Sequence, residues 1–88
     1  MSFHLDFSQQ AINDIDYHKK SGNKTILKKI SVLLNELTEH PFEGTGKPEL
    51  LKHNLSGCWS RRINQKDRLI YEVMEDSVHI QSAKGHYK

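Results

Sequence analysis

Cysteine is nearly absent: Cys58 stands alone among 88 residues. An internal disulfide framework and a cysteine-rich metal site are therefore excluded, and a reducing compartment fits. No apolar run approaches the ~20 residues needed to span a membrane. The segment Met1-Ser2-Phe3-His4-Leu5-Asp6 lacks a basic stretch followed by an apolar one, so no signal peptide is expected and the expected location is the cytoplasm. Histidines 4, 18, 40 and 79 are scattered, and no pair has metal-ligand spacing together with a third ligand. Neither a metal nor another cofactor is expected. Repeats, low-complexity segments and linkers are also missing, which leaves one domain over residues 1–88 with room for one modest core. A site on so small a body must lie on the surface or in a shallow groove.

What is present is charge, unevenly spread. Residues 1–44 carry five Lys against six acids, whereas residues 45–88 carry eight Lys and Arg against five acids. A basic half concentrates a polyanion near itself, which is weak evidence for nucleic acid.

The hydropathy pattern gives an order of elements. Phe3, Leu5 and Phe7 alternate with His4 and Asp6, the period of a half-buried strand. Ser8 can cap a helix with Ala11, Ile12 and Ile15 as its apolar stripe, and Ser21-Gly22-Asn23 ends it. Ile26, Ile30, Leu33, Leu34 and Leu37 give a second, amphipathic helix from about 24 to 39, stopped by His40-Pro41. Residues 42–57, with Gly44, Gly46, Pro48 and Gly57, read as an ordered loop, or a loop with a short turn, whose charges can point at a ligand. Three strands follow: 58–63, 68–73, and Val78 to about Ala83, joined by turns at Asn64–Asp67 and Glu75–Ser77. The expected fold is α+β, β-α-α-β-β-β, with two helices packed on one face of a mainly antiparallel sheet.

Four stretches carry a likeness. Pro41-Phe42-Glu43-Gly44 is followed by Gly46-Lys47-Pro48-Glu49, then by Leu51 through Gly57 and by Trp59-Ser60-Arg61-Arg62-Ile63. Arg68-Leu69-Ile70-Tyr71 and His86-Tyr87 extend the run. Together they resemble the YoeB/Txe toxins of bacterial toxin–antitoxin pairs, within the RelE/ParE superfamily. The resemblance implies a RelE-like fold and a toxin that cuts mRNA in the ribosomal A site without a metal. It also implies a YefM/Phd-type antitoxin as partner, a tendency to homodimerise, and contact with DNA only through the antitoxin complex. By position, Glu49 matches the family's general base, Arg68 its transition-state arginine and Arg62 a supporting arginine. Lys52 matches the loop lysine, and His86 and Tyr87 the terminal catalytic pair. Lys47 and Lys84 complete the cations expected at the phosphate.

This sequence differs from better-known members at four places. Lys84 stands where an arginine is familiar, so a point-like ammonium replaces a forked guanidinium. Gly85 replaces a bulkier residue and is expected to loosen the tail that carries His86. Cys58 occupies an aromatic position, and Lys88 follows Tyr87.

The residue types suit the reaction. A ribose 2′-OH attacks the adjacent phosphate, which needs a base, positive charge for the transition state and an acid for the departing 5′-oxygen. DNA lacks the 2′-OH. On the residues alone, Glu49 reads as a surface partner of Lys47 or Lys52; the family correspondence makes it the base. Arg61 and Arg62 are adjacent, so on a strand only one faces the site, and the correspondence selects Arg62. Arg61 is then structural or a general RNA contact. His86 titrates in the useful range, or else is a frayed terminal residue. Tyr87 stacks on a base, orients a phosphate or anchors the tail. His53 reads as a phosphate contact or as loop packing, and Cys58 and Trp59 as packing. Two other functions share the superfamily or the charge: a non-enzymatic ParE-like toxin that poisons gyrase, and a plain RNA-binding module.

Overall fold

The computed structural model describes residues 2–85. Strand β1 is His4–Phe7, followed by helices α1 (Gln9–Lys20) and α2 (Lys24–Leu37). Then come a two-residue strand β2 (Glu49–Leu50), a 3-10 turn at His53–Leu55, and strands β3 (Cys58–Arg62), β4 (Arg68–Val73) and β5 (Ser77–Ser82). The sheet order is β1-β5-β4-β3-β2. β1 runs parallel to β5, and the remaining pairs are antiparallel.

Local chemistry sets the helix ends. Ser8 Oγ accepts from the Ala11 N–H at 3.0 Å, and Asn23 Oδ1 accepts from the Ile26 N–H at 3.1 Å. Each satisfies a donor that an uncapped first turn would leave open. Ile30, Leu33 and Leu37 of α2 pack with Ala11 of α1 on Leu69, Tyr71, Val78 and Ile80 of the sheet. The opposite face carries only a small apolar group, Leu51, Cys58 and Ile70, with Leu55 against it. Burial raises the pKa of the Cys58 thiol, in keeping with a packing role. The sheet is thus helix-covered on one side and largely open on the other.

Two sequence expectations need correction. Residues 42–57 are not all loop, because Glu49 pairs with Ser60 and Leu50 with Trp59. Two residues after a proline are too few to show alternation. Ile12 is also not on the buried stripe of α1: it is 49% exposed, and the inward residues are Ala11, Asp14 and His18. Positions 11, 14 and 18 follow the helical period, but two of them are polar, so hydropathy misassigned the face.

Arg61 is the most unusual core residue. It is fully buried on the helix side. Its Nε donates to Tyr71 Oη at 3.1 Å, and its Nη1 donates to Glu36 Oε1 at 2.8 Å and to Thr45 O at 3.4 Å. Its Nη2 donates to the carbonyls of His40 and Glu43. Tyr71 Oη in turn donates to Pro41 O at 2.8 Å. One guanidinium therefore ties the 40–45 segment to α2 and the sheet, using the donor fork that only arginine has. Glu36 also accepts from the backbone N–H and the hydroxyl of Thr45. These bonds, the Thr45 hydroxyl first, outweigh its desolvation and hold its carboxyl below the usual 4.5. Arg61 adds to the effect.

Removing one partner of such a pair leaves a buried group unpaired. Arg61→Met should lower the unfolding free energy by about 3–5 kcal/mol in urea titration, and Arg61→Lys should recover only a minor part of it. Because the Glu36 carboxyl is held low in the folded state, its contribution is present above pH 4.5 and disappears as pH falls through the depressed folded value. The stability gap between wild type and Glu36→Gln should therefore close on acidification. A gap independent of pH between 6 and about 3 would contradict this account.

Candidate functional site

Strand alternation sorts the two adjacent arginines. Arg61 pairs with Leu69 on the helix side, and Arg62 pairs with Arg68 on the open side. Glu49 pairs with Ser60, two residues before Arg62 on β3, so its side chain shares that open face. Glu49, Arg62 and Arg68 therefore stand on one surface of three neighbouring strands. From β2 to β4 is two strand spacings of about 4.8 Å, and the offset along the strands is two residues of about 3.3 Å each. Long side chains reach across that gap. Glu49 and Arg62 are exposed and Arg68 is half-buried. Arg68 Nη1 donates to Asn64 O at 3.2 Å, which ties its guanidinium to the preceding turn.

Facing arginines on paired strands repel. The fold nevertheless places Arg62 directly opposite Arg68, which concentrates positive charge on the open face. Chemically, this surface can hold an anion beside an exposed carboxylate.

Lys47 joins the same border. The Arg62 N–H donates to Gly46 O at 2.7 Å, so the loop before β2 lies along the end of β3. A Cβ at Gly46 would sit 2.9 Å from Arg62 O, and φ there is +86°, so only glycine allows this approach. Lys47 follows it, exposed, with φ 52°. Lys52 is exposed at the head of the 3-10 turn. His53, next to it, is exposed with φ 62°. Lys84 goes elsewhere: its ammonium lies 3.9 Å from the centre of the Tyr17 ring on α1. The ring face is a cation–π partner for that charge. Trp59 is half-buried, packs on the core and meets the Phe42 ring at 5.2 Å.

His86 and Tyr87 lie outside the described residues. The segment leading to them is fixed at Gly85, whose carbonyl accepts from the Arg68 N–H at 3.0 Å and whose N–H donates to Asp67 Oδ1 at 2.8 Å. Gly85 itself is bonded on both sides, with φ +79°, where a glycine is at ease.

Sequence reasoning missed Asp14, His18 and Asp67, which are 4%, 2% and 3% exposed. Positions 14 and 18 are four apart and share a helix face with Ala11, a signal available in the sequence. Their partners, 69 and 65 residues away, were not. Among the described residues, no three His, Cys, Asp or Glu side chains gather as a metal site. No described helix is long and apolar enough to cross a membrane.

Residues 7–87 match the family model described as the YoeB-like toxin of bacterial type II toxin–antitoxin systems. The chain is 47% identical over 83 residues to the toxin YoeB of Escherichia coli K12, an alignment covering 94% of this chain and 98% of the relative. It is 39% identical over 83 residues to the toxin RelK of Mycobacterium tuberculosis, covering 94% and 96%. Among solved structures it is similar to a YoeB dimer from Staphylococcus aureus, with a TM-score of 0.86, 42% identity and coverage of 99% and 100%. A YoeB–YefM complex from the same organism gives a TM-score of 0.84 at 43% identity, again covering 99% and 100%. YafQ of Escherichia coli, at 16% identity and a TM-score of 0.80, shares the fold. Sequence, register and backbone agree, and the chain belongs to the YoeB-like toxins of bacterial type II toxin–antitoxin systems.

Proposed function

We propose that this toxin is a ribosome-dependent endoribonuclease that cuts A-site mRNA and so stops translation in the cytoplasm. The reading rests above all on one observation: Glu49, Arg62 and Arg68 share the open sheet face, and Gly85, bonded to Arg68, leads directly into His86. Glu49 takes the proton of the 2′-OH. Arg62 and Arg68 offset the charge that grows on the phosphate, and a phosphate between them relieves their mutual repulsion. His86 supplies the proton to the departing 5′-oxygen, and Tyr87 orients the phosphate or a base. Lys47 and Lys52 border the strand path. Base, cations and acid all come from the protein, so no metal is required by this scheme. The same open, basic face is the surface a YefM-type antitoxin would cover. The YoeB–YefM complex and the YoeB dimer among the similar structures support an antitoxin partner and a homodimer for this chain as well.

Cleavage on programmed ribosomes tests the roles. Glu49→Gln and His86→Gln should each slow cutting about 10²–10⁴-fold, and Arg68→Ala about 10²–10³-fold. Lys84→Ala should cost much less, because its charge is engaged by Tyr17. In cells, mapped mRNA 5′ ends should fall inside translated codons for the wild type and vanish for the variants. Equal growth arrest by all of them, without new ends, would instead favour a ParE-like mode of action.

Salt provides an independent check. Affinity for ribosome-bound mRNA should fall steeply with ionic strength, and Arg62→Ala should reduce the slope of log affinity against log salt by about 0.7–1. A slope unchanged by that substitution would remove Arg62 from the phosphate contacts.

A further inference from the structure

The β5–β4 ladder stops at Ser82, and the chain continues through Ala83, Lys84 and Gly85 toward His86. A segment beyond its ladder ordinarily frays. Here side chains replace the missing strand partner. Asp14 Oδ2 accepts from the Ala83 N–H at 2.9 Å, and His18 Nε2 lies 2.8 Å from Ala83 O, a contact that requires the ring nitrogen to carry its proton. Both backbone groups of Ala83 are thus held by one face of α1. Two residues on, Asp67 Oδ1 takes the Gly85 N–H and the Arg68 N–H takes Gly85 O.

The holders are themselves held. Gln10 Nε2 donates to Asp14 Oδ1 at 2.7 Å, and Asn64 Nδ2 donates to Asp67 Oδ2 at 3.1 Å. Burying two carboxylates and an imidazole is unfavourable unless each is hydrogen-bonded. All three act on the same three-residue segment, and none lies on the open face. A helix and a turn outside the proposed chemistry thereby fix the chain one residue before His86: the turn's Asp67 holds the Gly85 N–H, and the Gly85 carbonyl accepts from the Arg68 N–H.

We propose that Asp14, His18 and Asp67 are positioning residues: they hold Ala83 and Gly85, the residues that lead into His86, beside the start of β4 at Arg68. The proposal rests on the nuclease reading above. Misplacing a reacting group by about 1 Å can cost about 10²-fold in rate. Asp14→Ala and His18→Leu should therefore lower the saturating cleavage rate about 10–100-fold while leaving ribosome affinity within twofold. Asp14→Asn keeps an oxygen for the Ala83 N–H and should restore most of the rate. Leu33→Ala, a core change remote from the tail, supplies the reference for lost stability alone. Backbone amide exchange on the same proteins should accelerate at Ala83 and Gly85 in Asp14→Ala and His18→Leu, and not locally in Leu33→Ala. The proposal is overturned if Asp14→Ala and Asp14→Asn are equally impaired, or if rate loss follows melting temperature as it does in Leu33→Ala. Wild-type protein that cuts nothing defeats the nuclease reading instead. The clamp is then judged by exchange alone: acceleration at Ala83 and Gly85 upholds it, and unchanged protection there ends it.

Discussion

The buried guanidinium of Arg61 is the interaction on which the arrangement depends. A charge with no solvent access survives in a core only when every donor is used, and this one meets a tyrosine oxygen, a glutamate and three main-chain carbonyls. Those carbonyls belong to the segment that leads into Lys47 and Glu49. The residue next in sequence, Arg62, points the other way. One strand position thus organises the approach to the site, and its neighbour furnishes the site.

A sheet closed on one side and open on the other makes this division work. Helices α1 and α2 shield Leu69, Tyr71, Val78 and Ile80. The reverse side of the same strands is left for polar chemistry, with only Leu51, Cys58 and Ile70 packed there. Catalytic candidates 19 residues apart, Glu49 and Arg68, come onto one face, with β3 between them, by strand pairing alone, on backbone ladders rather than on flexible loops. Rigid placement of that kind favours a reaction that needs little besides alignment and charge.

Much of this was legible in the amino acids. The period of Ile26, Ile30, Leu33 and Leu37 gave α2, the turn residues gave the β3–β4–β5 meander, and alternation foretold that Arg61 and Arg62 would part. What escaped was tertiary. The Glu49–Leu50 strand exists because β3 offers it a partner, not because two residues prefer to be extended. Ile12 looked inward on hydropathy, but the inward face is set by Asp14 and His18, whose partners lie at Ala83. The contact between the Lys84 ammonium and the Tyr17 ring, across 67 positions of sequence, was likewise not visible in the pattern. Pattern reads short-range order well; it does not report which distant group a polar side chain will find.

The parallel pairing of β1 with β5 joins residues 4–7 to residues 77–80. β5 is synthesised last of the strands yet lies between β1 and β4. A nascent chain halted before residue 77 therefore has an orphan first strand, and the anchoring acid and imidazole of α1 face nothing. Contacts so distant in sequence form late and slowly. The order of synthesis and the order of the sheet thus disagree: the position beside β1 is filled only by the strand made after β4, so the first strand and the inward face of α1 wait for a segment about seventy residues downstream.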